Sequence, residues 1–509
     1  MKEGYLLLHY KLILYFNVVY AYMKKLSSIV RILCVVFAGS MILTGCNLGD
    51  DTLAITTERM PTESASASPT EPPLESNHFS KDYVYRYEDS RDRAWEEDVV
   101  FLANAFLGDS LMKGHPLFVD KEIVTFKPGL EVKFQSFYNA QMRAAFILDL
   151  ELLIRNIPKL SDTQIIYKMQ RIVAKLNDLH SYVNITGSDI FVFMAEPFYS
   201  DEGMQLRMVR LPIAYEDALY GELVAINGIP IDEVIERLGQ YVSHEWEYGK
   251  MFNLTSMLST NLINKKDALQ AAGIVAPEDT TAEFEIITEQ RKHIVAEIPA
   301  LSSEEYKAAE KAKGDWFSMG LMSYNDYYSV NYFLRFEEEN EMLYIRFNRE
   351  VEMTDYRFSQ FFEDIKTQSQ NKNCEKIVVD LRLNGGGNGT QMHDDLIQIL
   401  SQSTAENIYV LVDSASYSDG VLLSLDLQQN LPNAVIVGTP GGQGPNFFAT
   451  GVFYTLPNSG FMIAVSCQYF MWRSDYQHET LMPDITIYQT LEDYKQGIDT
   501  VLSYIRAKE

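Results

Sequence analysis

Two turns in the last third of the chain hold residue types that acyl-transfer chemistry uses. The first turn runs from Asp380 to Gly387 and ends in three consecutive glycines. Glycines that follow a strand let backbone N–H groups approach a ligand closely, which is what an oxyanion hole requires. The triplet could equally be an ordinary flexible turn, so the motif needs support from elsewhere in the sequence.

The second turn runs from Asp413 to Gly420 and contains Ser418, between an apolar strand and an apolar helix. A serine at that junction lies at a helix N-terminus, where the dipole and free N–H groups stabilise developing negative charge. Ser418 is therefore a candidate nucleophile. Its other interpretation is an N-cap, a role that serine often fills.

A histidine supplies the third group. His180 and Ser181 come at the end of a helical segment, and Ser-His pairing is the usual way to activate a hydroxyl near neutral pH. By its position alone His180 could also be a core or capping residue. His393, after the glycine-rich turn, could compete as the base, but we expect it on its helix surface.

The elements that must position these residues follow from hydrophobic periodicity. Beyond about Asp326, strands and single helices alternate, which favours an α/β layer with largely parallel pairing. Earlier segments with helical spacing predict a small helical domain, with Ser161 or Asp162 as a cap. Between them, short apolar runs surround an Asn-Gly step, which predicts a tight turn. We expect a helical domain at 80–185, a β-rich module at 186–300 and an α/β core at 301–509.

Taken in order, several short motifs between Ala94 and Asp493 resemble the carboxy-terminal processing, or tail-specific, serine peptidases. Within them the likeness is to the branch related to the core of the tricorn protease. The motifs are Asp178–Ser181, Gly221–Val234, Val379–Gly387, Ser416–Gly420, Val437–Gly442, Leu456–Gly460 and Pro483–Ile485. The resemblance implies a crotonase/ClpP-like α/β catalytic core, a helical N-terminal domain and a PDZ-like β-rich module that binds substrate.

The same resemblance assigns the catalytic roles. In the Ser-Lys branch a lysine downstream of the nucleophile is the base, but Gln443 stands in that neighbourhood here and no lysine does. The tricorn-like branch instead implies Ser418 as nucleophile, His180 as base and Ser181 as the residue that orients His180.

The oxyanion site and the acidic helper are implied in the same way. The N–H groups of Asp419 and of Gly385 or Gly386 would bind the oxyanion. The acidic helper lies shortly before the Pro-Asp-Ile motif in that family. Glu479 is the nearest acid here, although its spacing is short and Gln477 occupies the expected place.

The start of the chain has the pattern of an export signal. Met23 and two lysines precede an apolar run, Ile32–Leu43, and small residues then lead to Cys46. This resembles a bacterial lipobox, so we expect a leader at 1–46 that truly starts at Met23, with lipid on Cys46. The run is short for a membrane-spanning helix, the alternative. Residues 47–79, rich in Ser, Thr and Pro, predict a disordered tether.

Composition limits the possible partners. The formal net charge is −27, and residues 1–45 contribute five basic residues and one acidic residue, so the body of the protein is more acidic still. An acidic protein repels phosphate backbones, which argues against nucleic-acid binding. Cys374 and Cys467 could pair, but neither has metal-ligand spacing. We expect no metal and no organic cofactor.

These observations predict an extracytoplasmic serine endopeptidase, held at the cell membrane by its N-terminal lipid. Its substrates would be peptides or exposed polypeptide ends, hydrolysed through an acyl-enzyme. The alternative is a catalytically inactive lipoprotein of the same fold that binds peptides or another ligand.

Overall fold

The structure is a computed structural model, and it describes most of the chain beyond the tether. The described residues are 79, 83–107, 122–123, 140–200, 203–256, 261–312, 316–318, 330–371 and 374–508. All of them belong to one compact unit, Pro73–Glu509. The predicted leader, Cys46 and the tether up to residue 78 lie outside the described residues. No helix in the described ranges has the length and apolar character needed to cross a bilayer.

Three helices form the first layer, where the periodicity predicts them. The elements are α1 (Ser90–Leu107), β1 (Glu122–Ile123), α2 (Ala140–Asn156) and α3 (Asp162–Ala174). Ser161 caps α3 through a capping box, because its Oγ accepts from Gln164 N at 3.2 Å and Gln164 Oε1 accepts from Ser161 N at 3.0 Å. Buried side chains of all three helices belong to one hydrophobic cluster.

The second part is rich in antiparallel strands. Its strands are β2 (Tyr182–Asn184), β3 (Ile190–Phe191), β4 (Met194–Ser200), β5 (Gly203–Pro212), β6 (Glu222–Ile226), β7 (Ile229–Pro230), β8 (Thr281–Ile287), β9 (His293–Leu301) and β10 (Trp316–Ser318). Its helices are α4 (Ile231–Gly239), α5 (Glu247–Thr255), α6 (Lys266–Ala271) and α7 (Ser303–Ala312). Strands β3 to β10 form one sheet, which we call the β-module.

Two details of the β-module bear on the sequence predictions. Asn227 and Gly228 both have positive φ, 49° and 72°, and join β6 to β7, so the predicted tight turn is confirmed. Strand β10 pairs with β5, so the sheet extends beyond the limit of 300 expected for this module.

The third part is the α/β core. Its strands are β11 (Tyr332–Glu337), β12 (Met342–Phe347), β13 (Lys376–Asp380), β14 (Asn407–Val412), β15 (Ala434–Gly438), β16 (Asn446–Thr455), β17 (Met462–Met471) and β18 (Ile485–Thr486). Its helices are α8 (Phe358–Asn371), α9 (His393–Leu400), α10 (Asp419–Asn430), α11 (Leu491–Lys495) and α12 (Thr500–Arg506).

Six of these strands form the central sheet, in the order β11-β12-β13-β14-β15-β18. Every pairing in it is parallel except that of β11 with β12, which confirms the predicted parallel layer. Side chains of α8, α9 and α10 cover one face of the sheet, and α12 covers the other. The strands buried on both faces are largely apolar, as parallel strands usually are, although Arg346 in β12 and Lys376 and Asp380 in β13 are buried charged residues.

Strands β16 and β17 form a long hairpin that joins the helical layer to the core. Strand β2 adds to β17 in antiparallel pairing, and β1 adds to it in parallel pairing. At the hairpin turn, the N–H groups of Asn458 and Ser459 donate to the buried carboxylate of Asp98 in α1, at 2.9 and 2.8 Å. His180 and Ser181, directly before β2, are therefore held beside the core.

Cys374 is a free, buried cysteine at the start of the segment that leads into β13. A disulfide between Cys374 and Cys467, which the sequence left open, is therefore not formed. The side chain of Cys467 is not among those described.

Candidate active site

Ser418 lies at the N-cap position of α10 but does not act as a cap. Its side chain makes no capping hydrogen bond, and its backbone has φ 55° and ψ −121°. Positive φ is uncommon for a residue with a side chain and costs on the order of 1–3 kcal/mol, and such conformations concentrate at functional sites. The hydroxyl is thus not used by the helix that follows it.

The glycine-rich turn packs directly against the turn that carries Ser418. Leu383 N donates to Asp413 Oδ1 at 2.9 Å, and Tyr417 N donates to Asn384 O at 3.0 Å. Ser416 Oγ also donates to a backbone carbonyl of the first turn, at 2.8 Å. The two motifs, separate in sequence, therefore form one site at the carboxyl ends of β13 and β14.

Gly386 makes the closest approach between the turns. It has φ 78°, and a Cβ on it would lie 2.6 Å from Ser418 Cβ and 3.0 Å from Asp419 N. Its own N–H donates to Asn384 Oδ1 at 2.7 Å, so the predicted role of Gly386 as an oxyanion donor is not supported. Gly386 instead leaves space beside Ser418. Asp419 N makes no hydrogen bond to a described acceptor, as expected of a free donor at a helix N-terminus.

His180 stacks on Tyr417, the residue directly before the candidate nucleophile, and on a second aromatic ring. Its imidazole stacks on Tyr417 with ring centroids 4.6 Å apart, and on Phe447 with centroids 5.6 Å apart. Burial lowers the pKa of His180 to about 3, against the opposing effect of a hydrogen bond with the Phe448 backbone. Nδ1 is buried and has no hydrogen-bond partner. The ring is neutral at pH 7, and the described hydrogen bonds do not join it to Ser418.

Ser181 does not bond the imidazole ring. Its Oγ donates to Asp178 Oδ2 at 2.6 Å and accepts from Ser466 N at 3.0 Å. The other oxygen of Asp178 accepts from His180 N at 2.9 Å. Ser181 was expected to orient His180, and its contact with that residue runs through Asp178, which accepts from both Ser181 Oγ and the His180 backbone.

Glu479, the acid predicted to help His180, is exposed to solvent. Glu479 has an exposed side chain, and Gln477, in the spacing expected of the helper, is exposed too and donates to Asp475 O at 2.7 Å. Solvent screens a carboxylate in this position, so it would do little to hold a buried imidazole. Gly385, the other predicted oxyanion residue, is also exposed.

His393 is buried, which corrects the expectation that it lies on its helix surface. Its Nδ1 is 2.9 Å from Asp426 Oδ2, and its Nε2 is 3.5 Å from Asp419 Oδ1. Asp419 Oδ2 accepts from Gly389 N at 2.8 Å. His393 is thus engaged beneath the turns with the side chain of Asp419, and is not placed as a competing base.

Two residues that sequence reasoning did not assign lie on the other side of Ser418. Gln443 is fully buried, and its Oε1 accepts from Ser418 N at 2.8 Å. Its Nε2 donates to Glu245 Oε1 at 3.0 Å. Gln443 could have been found from the sequence, because it lies between glycines at the position where the Ser-Lys branch has its lysine. No pattern marked Glu245, which belongs to the segment before α5.

The described residues contain no cluster of three or more side chains able to hold a metal ion. Among the polar groups around Ser418, His180 Nδ1 and Asp419 N have no hydrogen-bond partner in the part of the chain that the structure describes. An uncapped hydroxyl at a helix N-terminus with a free N–H, next in sequence to a residue that stacks on a neutral imidazole, is an arrangement suited to nucleophilic chemistry.

Comparison with known proteins places the fold. No model of a protein family matches the sequence, and no curated protein matches it. The crystal structure of mature CPAF is similar, with a TM-score of 0.53 and 12% identity, over 81% of this chain and 96% of that chain. CPAF complexed with lactacystin gives a TM-score of 0.51 and 11% identity, over 81% and 97%. The tricorn protease gives a TM-score of 0.35 and 11% identity, over 82% of this chain and 36% of that chain. The chain therefore has a mixed α/β fold like that of CPAF.

Proposed function

We propose that this chain is a serine peptidase in which Ser418 is the nucleophile. The observation that carries the proposal is the state of Ser418: a strained backbone at a helix N-terminus, with a hydroxyl that caps nothing. A serine kept only for capping would have no reason to adopt this conformation. The packing of the glycine turn against Ser418 and the ordered sequence motifs support the same assignment.

In the proposed reaction, Ser418 Oγ attacks the scissile carbonyl carbon and His180 accepts the hydroxyl proton. The tetrahedral oxyanion is stabilised by Asp419 N–H and the positive end of the α10 dipole. The C–N bond then breaks, His180 returns the proton to the leaving amine, and water hydrolyses the acyl-enzyme by the same route in reverse. The rings on both faces of His180 stabilise the imidazolium through cation–π interaction.

A small rearrangement must bring His180 and Ser418 into hydrogen-bonding contact. The His180 ring is beside Tyr417 but not bonded to Ser418, and catalytic hydrogen bonds often tighten only when substrate binds. We propose that substrate entry closes this gap.

The β-module supplies a place for a substrate segment. A cavity of about 300 Å³ lies between β5, β6 and α4. Its lining includes the apolar residues Met204, Leu206, Leu223, Ile231 and Ile235. The lining also includes Gln205, Glu222 and Asp232, so the cavity suits a peptide segment that carries both polar and apolar groups. We propose peptides or polypeptide ends as substrates, bound partly through this module.

We further propose that the protein is exported and lipid-anchored at Cys46, with its folded part on the extracytoplasmic side of the cell membrane. The lipobox-like sequence supports this. Expression of the full chain and of Cys46→Ala with a clickable fatty acid would test it. Label and membrane association in the full chain, and neither in the variant, are expected; label retained in Cys46→Ala would exclude Cys46 as the anchor.

Activated fluorophosphonate labelling tests the catalytic proposal. Phosphonylation of Oγ with loss of fluoride is expected in the wild type and absent in Ser418→Ala, with circular dichroism showing that both are folded. Digestion of a diverse peptide mixture, read by mass spectrometry for the same two proteins, identifies the bonds cleaved. A folded wild type that neither labels nor cleaves would refute the proposal.

The second candidate is an inactive peptide- or ligand-binding lipoprotein of the same fold. The exposure of Glu479 and the low pKa of His180, lowered by burial to about 3, favour it. Binding of peptides by wild type and Ser418→Ala alike, without cleavage by either, would support this candidate.

A further inference from the structure

A short loop, residues 439–444, lies between the Ser418 turn and helix α5. A Cβ on Gly442 would lie 2.4 Å from Ser414 O, on the Ser418 turn. A Cβ on Gly249, in α5, would lie 2.5 Å from Gly442 O. Such distances are shorter than side chains tolerate, so backbones of three segments are in direct contact here. Helix α5 thus reaches the nucleophile turn through this loop.

Side chains make the same connection. Gln443 Oε1 accepts from Ser418 N at 2.8 Å, and Gln443 Nε2 donates to Glu245 Oε1 at 3.0 Å. The orientation of the amide is fixed at both ends. In the reversed orientation the NH₂ group of Gln443 would face the Ser418 N–H, so the hydrogen bond with Ser418 would be lost.

Resting on the proposed function, we propose that Gln443 and Glu245 are positioning residues for the nucleophile. Gln443 holds the strained peptide of Ser418, and Glu245, contributed from outside the core, holds the Gln443 amide in the orientation that Ser418 needs. A strained backbone persists only where its surroundings over-determine it, and a buried side-chain acceptor on the Ser418 N–H does this. The neighbouring N–H of Asp419 is left for the oxyanion.

The charge environment of Glu245 fits a hydrogen-bonding role. Burial raises the pKa of Glu245 to about 8, the negative charge of Asp178 raises it further, and Gln443 and the Gly444 backbone oppose the shift. Tyr417 and Tyr469 are the other titratable groups that interact with this carboxyl. In either protonation state one oxygen of Glu245 can accept from Gln443, so the wild-type bond does not depend on ionisation near neutral pH.

The first test compares fluorophosphonate labelling rates of folded variants. Gln443→Ala and Glu245→Ala are expected to label roughly tenfold more slowly, since each loses one hydrogen bond that fixes Ser418. Glu245→Gln keeps an acceptor oxygen and is expected to stay within about twofold of wild type. The exposed residues Gln402 and Glu363 provide matched controls, and Gln402→Ala and Glu363→Ala should label like wild type.

A pH profile separates positioning from general stability. In Gln443→Glu the new carboxyl can accept from Ser418 N–H and share one proton with Glu245. As pH rises and that proton is lost, two like charges face each other and the contact breaks. Its labelling is expected to match wild type in mild acid and to fall at least fivefold toward pH 9 relative to wild type. A constant ratio across pH would overturn the proposal.

Hydrogen exchange gives a readout that needs no activity. Amide exchange over residues 413–420 is expected to be faster in Gln443→Ala and Glu245→Ala than in wild type, but unchanged in Glu245→Gln. If the wild type is unreactive while these exchange differences appear, the proposed function fails and the positioning pair stands. If the wild type labels while Gln443→Ala and Glu245→Ala label and exchange like it, the positioning pair fails alone.

Discussion

The imidazole of His180 stacks on the ring of Tyr417, with centroids 4.6 Å apart and planes 23° from parallel. Tyr417 directly precedes Ser418, so the residue that supports the candidate base is bonded to the candidate nucleophile. If the nucleophile turn moves, the Tyr417 ring that stacks on the imidazole of His180 moves with it.

Replacing Tyr417 tests this support. Tyr417→Ala removes the nearer ring and is expected to slow fluorophosphonate labelling roughly threefold to tenfold, the range of a lost aromatic pair. Tyr417→Phe keeps the stacked ring and should label at nearly the wild-type rate. Equal rates for all three proteins would show that stacking does not position His180.

The pKa of His180, lowered by burial to about 3, predicts an unusual acid limit for reactivity. The ring accepts a proton only while neutral, so labelling should persist through mild acid and be lost only as pH falls through about 3. The check is the labelling rate against pH, with circular dichroism at each point. An acid limb centred near the ordinary histidine pKa, about 6.5, would contradict the buried geometry.

The same pKa shift has a consequence for stability. A histidine in the unfolded chain binds a proton near pH 6.5, whereas the buried His180 does not. Its contribution to the free energy of unfolding is thus present above about pH 6.5 and declines as pH falls. Urea titrations at pH 7.5 and 5.5 should show a smaller loss of stability in His180→Phe than in wild type.

The glycine turn offers a matched pair of substitutions. Gly386→Val is expected to block labelling at least tenfold, because its Cβ would lie 2.6 Å from Ser418 Cβ and φ is 78°. Gly385→Ala has nothing within 4 Å of the added Cβ and should label normally. The labelling rate and the thermal unfolding of both variants are measured, because Gly386→Val also strains the turn. Normal labelling by folded Gly386→Val would refute the need for this close approach.

A buried ion network beneath the glycine turn is expected to dominate local stability. Asp380 is fully buried, with Arg346 Nη1 at 2.8 Å and Arg382 Nη2 at 2.6 Å, and Arg382 also bonds Asp499 at 2.8 Å. Asp380→Asn leaves buried positive charge uncompensated and should lower the free energy of unfolding by about 3–5 kcal/mol. The exposed Asp355→Asn is the control, and urea unfolding is the measurement.

This network also sets a pH trend. Despite burial, which opposes it, the two arginines lower the pKa of Asp380. A lowered carboxyl pKa stabilises the fold above the unfolded value, near 3.9, and that contribution is lost as pH falls below it. Asp380→Asn should therefore flatten the acid side of the stability profile, and an unchanged profile would argue against the ion pairs.

Local patterns predicted the elements around the site well. Apolar runs separated by single helices specify parallel strands, and Ser161 followed by Gln164 specifies a capping box, because both are short-range effects. The turns bearing Gly386 and Ser418 were found because strand ends and glycines mark them. Their mutual packing follows from adjacent parallel strands, whose carboxyl ends lie side by side.

Contacts between distant segments could not be predicted in this way. Glu245 and Gln443 are 198 residues apart, and nothing in either segment specifies the other. His393 was expected on its helix surface, but it is buried, and Asp419 and Asp426 from a distant segment lie beside its imidazole nitrogens. Glu479 was chosen by spacing to a motif, which says nothing about the exposure of its side chain.

The bond between Asp98 and Asn458 spans 360 residues. Helix α1 therefore gains this hydrogen-bonding partner only when the β16–β17 hairpin is in place, and β2 pairs with the same hairpin. Closing so long a loop is slow and comes late in folding. A nascent chain that already contains Ser418 would still lack Phe447 against His180. The aromatic surroundings of His180 are therefore completed only by residues that follow Ser418 in the chain.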